Sequence, residues 1–159
     1  MQTTPKPCVP YQLEMSKEVF MMQKKVVSLF LVVMMAVGMM LTLASCGKKS
    51  LEEYFEMEEM QTQVTALKQQ FESQGMTADI YAEGDSVCFD VTLGMEVPAE
   101  NLDTIKTQLT DALDQQKATF EEMAKQLQDN STNENVTIKI TYSDSAGTEL
   151  ASASFAAAA

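Results

Sequence analysis

One uncharged apolar run, Val26 to Ala44, divides this chain and stops two residues short of a cysteine, in "LTLASCGKKS" (residues 41–50). A small domain cannot lay a stretch of that length over its surface. It either spans a bilayer, which takes about 20 apolar residues, or forms the apolar region of a secretory signal. Lys24 and Lys25 stand just before the run, and small residues close it. That order of basic, apolar and small segments is the order of a secretory signal.

The choice between span and signal turns on Leu43-Ala44-Ser45-Cys46. An aliphatic residue, two small residues and a cysteine resemble the lipobox of bacterial lipoproteins. In such signals the cysteine thiol takes a diacylglyceryl group and a dedicated peptidase cuts just before it. The small residues at 44 and 45 let the backbone enter a narrow protease site. The resemblance therefore implies cleavage after Ser45, a lipid on Cys46, and attachment to the outer side of the cell membrane. Two acyl chains anchor stably where a single chain would be marginal. Residues 1–20 carry three prolines and two glutamates ahead of the lysines. They are either an over-extended gene start or a long n-region, and Cys8 is absent from the mature chain in both cases.

On this reading residues 21–45 are the signal, 46–49 a lipidated tether, 50–155 one domain and 156–159 a frayed tail. The chain carries 23 acidic residues, 11 basic ones, all lysine, and no histidine or tryptophan. A cleaved chain would hold 7 lysines against 21 acids, a formal −14. Nucleic acid is thus excluded as a partner, because basic surface drives that binding and arginine is its usual phosphate ligand. Lack of histidine removes most hydrolase triads and zinc sites. An acidic domain is repelled by an anionic bilayer, with Lys48 and Lys49 a short local counterweight.

Ser50-Leu51-Glu52-Glu53 fits a capping box. Leu51, Tyr54, Met57, Met60, Val64, Leu67 and Phe71 then recur at helical spacing up to Gly75, a left-handed stop. Met76, Ala78, Ile80 and Ala82 alternate, and after Gly84-Asp85 so do Val87, Phe89, Val91 and Leu93, which predicts a hairpin. Pro98 opens a second helix with Leu102, Ile105, Leu109, Leu113, Phe120, Met123 and Leu127 on one face. Val136 to Tyr142 and Glu149 to Phe155 form a second hairpin around "SDSAGT". Leu150 and Phe155 fall on opposite parities, so a bulge or an early strand end is required.

Helix, hairpin, helix, hairpin predicts an α+β fold: a four-stranded antiparallel sheet with two helices on one face. The other face carries Thr77, Asp79, Tyr81, Cys88, Asp90, Thr92, Thr137, Lys139 and Thr141. It is polar and uncovered, which antiparallel sheets permit, and it is the candidate interaction face.

The lipobox together with "SLEEYF", "QGM" before the first strand and the "AEGD" hairpin resembles small lipoproteins of Firmicutes, many from gut bacteria, known only as a domain of unknown function. The likeness runs from Gln23 to about Phe155. It implies a Gram-positive cell surface, brings no catalytic residues, and says nothing of a ligand.

The candidate chemistry reads blandly. Cys88 falls on the polar face as a half-exposed thiol without an activating base beside it in sequence. Met57 and Met60 lie on the core stripe of the first helix, so packing explains them better than copper does. Glu83, Asp85 and Asp90 lack the spacing of a calcium loop. No catalytic residue, metal site or cofactor is expected. The sequence points to a non-enzymatic module that binds an envelope protein or extracellular ligand. The alternative is a small accessory subunit of an envelope transporter or enzyme complex.

Overall fold

A computed structural model describes residues 47–158. Lys24, Lys25, Leu43, Ala44 and Ser45, expected to belong to a signal, Cys46, expected to carry a lipid, and Cys8 lie outside the described residues.

The first helical stretch is two helices, α1 (Leu51–Glu56) and α2 (Glu58–Ser73), where the sequence pattern predicts one. Ser50 caps α1 as expected: its Oγ accepts from the Glu53 N–H at 3.2 Å, and the Glu53 carboxylate accepts from the Ser50 N–H at 2.9 Å. The break at Met57, which is extended (φ −69°, ψ 140°), has a packing cause. Phe55 and Met60 are both buried, yet on an unbroken helix five residues turn them about 140° apart. One extended residue resets the phase so that both reach the core. The Gln61 carboxamide donates to the Phe55 carbonyl that the break leaves free.

Gly75 (φ +74°) ends the helical stretch, and β1 (Met76–Glu83) and β2 (Ser86–Leu93) follow as an antiparallel pair. The second helical stretch is again two helices, α3 (Ala99–Gln115) and α4 (Lys117–Asn130), separated at Gln116. β3 (Thr137–Ser143) and β4 (Glu149–Ala156) close the chain as another antiparallel pair. Strand order is β1-β2-β3-β4.

The sheet is mixed, which corrects the antiparallel expectation. β2 and β3 run parallel, with Ser86 beside Thr137 and Thr92 beside Ser143. The reason lies in the connection. α3 and α4 carry the chain back along the sheet, so β3 starts from the end where β2 started, as a crossover between parallel strands requires. The expected strand irregularity is a bulge: the register passes from Tyr142–Ala151 to Ser143–Glu149 and skips Leu150. Leu150 and Phe155 are thereby both buried. The tail is ordered further than expected, since Ala156 pairs with Thr137 and the Ala157 N–H donates to the Val136 carbonyl at 3.0 Å.

The core lies between one sheet face and the helices. Ile80, Phe89, Ile140 and Ala153 form one cross-strand row, and Ala82, Val87, Ile138 and Phe155 another. Phe155 stacks on Phe120 of α4 with ring centroids 4.8 Å apart. Among the described residues no helix is long and apolar enough to cross a membrane.

The strands connect two differently clamped ends. At one, Asn133 is the hub: its Oδ1 accepts from the Leu51 N–H (2.8 Å), and its Nδ2 donates to the Gly84 carbonyl (3.2 Å) and to Asp85 Oδ1 (2.6 Å). The Glu52 carboxylate accepts from the Gly84 N–H at 2.9 Å, closing the group onto α1. At the other end buried Asp144 accepts from the N–H groups of Thr148 (2.8 Å), Ala146 (3.0 Å) and Val97 (3.2 Å). It ties the β3–β4 turn to the segment that leads into α3.

Candidate functional site

Alternation along each strand sends every second side chain away from the helices, and the registers assemble those side chains into a polar face. Tyr81, Cys88, Lys139 and Ser154 make one row, and Asp79, Asp90, Thr141 and Ser152 the next. Thr77, Thr92 and Ser143 form a third, and Glu83, Ser86 and Thr137 a fourth. All nine residues named from sequence (Thr77, Asp79, Tyr81, Cys88, Asp90, Thr92, Thr137, Lys139 and Thr141) stand on this face. The parallel β2–β3 pairing leaves them there, because parity and strand direction are independent.

Two polar contacts organise the β1 side. The Tyr81 hydroxyl donates to Asp90 Oδ2 at 3.0 Å, and Lys68, reaching from α2, pairs with Asp79 Oδ1 at 2.9 Å. The bond to Asp90, and then the charge of that carboxylate, push the Tyr81 hydroxyl up to about 12. Tyr81 is also one of the large side chains left exposed, at 41%. It presents an aromatic face with its hydroxyl already engaged.

Cys88 departs from the expectation. It is 4% exposed, because Tyr81 and Lys139 flank it across the two neighbouring strands. Burial pushes its thiol above the ordinary value, and the charge of Lys139 offsets only part of that. A thiol held protonated and covered is a poor nucleophile. Glu83, Asp85 and Asp90 do not converge, and among the described residues no group of three or more potential ligands could hold a metal ion. Met57 is half-buried against the core and Met60 lies within it, which is the packing role.

Sequence reasoning missed the two clamps. "SDSAGT" reads as a turn, but the same Asp144 also reaches Val97, 47 residues away in the chain. The aspartate two residues before the Ala146 N–H is the local signal for an Asx turn. The long-range half has none. Asn133 lies in "DNSTNEN", which reads as loop, and its partners on α1 and the hairpin are set only by tertiary structure.

The family defined as a domain of unknown function (DUF4854) matches over residues 51–155, from the first residue of α1 to the buried Phe155 of β4. No curated protein and no solved structure matches the chain. With about two thirds of its length inside that match, and all eight helices and strands within it save the last residue of β4, the chain belongs to the DUF4854 family.

Proposed function

We propose that the chain is a membrane-anchored bacterial surface lipoprotein whose domain is a non-enzymatic binding module. Cys46 is the lipidated residue, and the open sheet face binds another envelope protein or an extracellular ligand. The observation that carries the binding role is the uncovered face itself. On this face β1 presents Thr77, Asp79 and Tyr81 and β3 presents Lys139 to solvent, while the helices pack on the other side. The anchoring rests on the sequence from Lys24 to Cys46. The covered, protonated Cys88 and the acids that do not converge give this face a recognition character rather than a reactive one.

Two measurements test the reading. Labelled palmitate fed to cells should enter the wild-type chain and be absent from Cys46→Ala; incorporation into the variant would refute lipidation at that residue. For binding, a photo-crosslinking residue placed at Thr77 or Lys139 in living cells should trap a discrete partner that a probe at Glu122 on α4 does not. Equal yields from both positions would remove the face from consideration. If the trapped protein is a transporter or enzyme component, the domain is an accessory subunit rather than a free-standing receptor.

A further inference from the structure

The residues that precede α1 are not slack. The Lys49 carbonyl accepts from the Thr132 N–H at 2.9 Å, and Lys49 bridges to Ser131 as a one-residue parallel strand. The Tyr54 hydroxyl lies 3.2 Å from the Gly47 carbonyl and 3.0 Å from that of Asn130, donating into the pair. Ser50 closes the capping box and Leu51 donates to Asn133. α1 cannot act as a stalk, because Leu51 and Phe55 are in the core. The segment from Gly47 onward is therefore part of the folded domain. A single peptide unit of about 3.8 Å joins Gly47 to the residue before it.

We propose that the Asn133 end of the domain faces the lipid headgroups. The strands then rise from the bilayer, the open sheet face looks sideways along it, and the Asp144 end is outermost. This rests on the anchoring at Cys46 proposed above and deepens it: the partner of this end is the headgroup layer, and partners of the open face approach laterally. Eight-residue strands at about 3.3 Å per residue place the two ends roughly 25 Å apart. A flexible tether of eight residues would reach about 16 Å and let the domain tumble. The bonded strap removes that freedom. Charge does not set the orientation, since Lys48 and Lys49 share this end with Glu52, Glu53, Asp85 and Glu134. The short covalent path does.

The test uses the lipidated chain that begins at Cys46, in phosphatidylcholine vesicles doped with a headgroup-nitroxide lipid. A fluorophore is placed on a new cysteine at Glu134→Cys or Ala146→Cys, both exposed positions at opposite ends. Cys88 is replaced by serine, or by alanine if serine destabilises the domain. Quenching should be several-fold stronger from position 134 than from 146. Inserting eight Gly/Ser residues directly after Cys46 should bring the ratio toward one. Equal quenching in the parent, with the lipid on Cys46 confirmed by mass spectrometry, overturns the orientation alone. An insertion that leaves the ratio unchanged overturns the strap as its cause. If mass spectrometry finds no lipid, the anchoring reading fails and the orientation falls with it.

Discussion

The two ends of the sheet solve the same problem with different chemistry. Each must hold a hairpin turn against a segment distant in sequence. At the Asn133 end a neutral carboxamide is the hub, giving one acceptor and two donors, with the Asp85 and Glu52 carboxylates at its edge. At the Asp144 end one buried carboxylate gathers three backbone N–H groups. A carboxamide can serve both donors and acceptors and does not titrate. An ionised carboxylate accepts only, binds N–H groups more strongly, and is lost when protonated. The two ends should therefore respond differently to the same perturbation.

The largest expected effect is steric, at the Asp144 end. The Gly94 N–H donates to the Gly75 carbonyl at 2.9 Å, and a Cβ on residue 94 would lie 2.1 Å from that oxygen. Gly94→Ala should cost about 1–3 kcal/mol as backbone is forced apart, read by urea unfolding. An unchanged midpoint would show that this end can yield, against the picture of a fixed clasp. Asn133→Ala at the opposite end leaves the Leu51 N–H without its partner, at a cost of about 1–2 kcal/mol. Hydrogen exchange should show the loss confined to residues near Gly84, Leu51 and Asn133. Loosening around Thr148 and Val97 instead would mean that the two ends are one cooperative unit.

Acid should separate the ends without mutation. Burial alone would push the Asp144 carboxyl up, but the N–H groups of Thr148, Val97 and Ala146 together hold it below the ordinary carboxylate value. A depressed carboxyl contributes stability that is fully present above the unfolded value, about 3.9, and is lost as pH falls through the folded value. Amide exchange at Ala146, Thr148 and Val97, corrected for intrinsic rates, should hold steady from pH 7 to about 5 and rise below about 4. Leu51, bonded to a carboxamide, should lag behind. Simultaneous loosening of both groups would break the distinction.

How much of this was legible in the sequence follows from the range of each interaction. The Ser50 cap, the Gly75 stop, the Gly84-Asp85 turn and the parity of the strands are local, and all stand where the pattern puts them. The open face was readable for the same reason. Strand direction was not, because hairpins identify pairs but not how one pair meets the next. The helical stretch between Pro98 and Asn130 was the available signal, being long enough for a crossover. The break at Met57 was hidden because Phe55 fell off the assumed stripe, and Cys88 read as half-exposed because its cover comes from two other strands. Lys24, Lys25 and Leu43 to Cys46 carry a sequence signal on which the fold of residues 47–158 does not bear.

The smallest effect tests whether the open face obeys the rule of the clamps. Tyr81 and Asp90 are bonded at 3.0 Å, but in contact with water. Removing the hydroxyl of a solvent-exposed hydrogen bond leaves the Asp90 carboxylate hydrated, so Tyr81→Phe should shift stability by only about 0.5 kcal/mol or less. It should also free the Asp90 carboxylate and return nothing to the core. The informative readout is then binding rather than stability: crosslinking from Lys139, two strands away, should fall while the melting temperature stays put. A clear drop in melting temperature would make Tyr81–Asp90 a third structural clamp. The face would then be a surface finished by its own contacts rather than one left open for a partner.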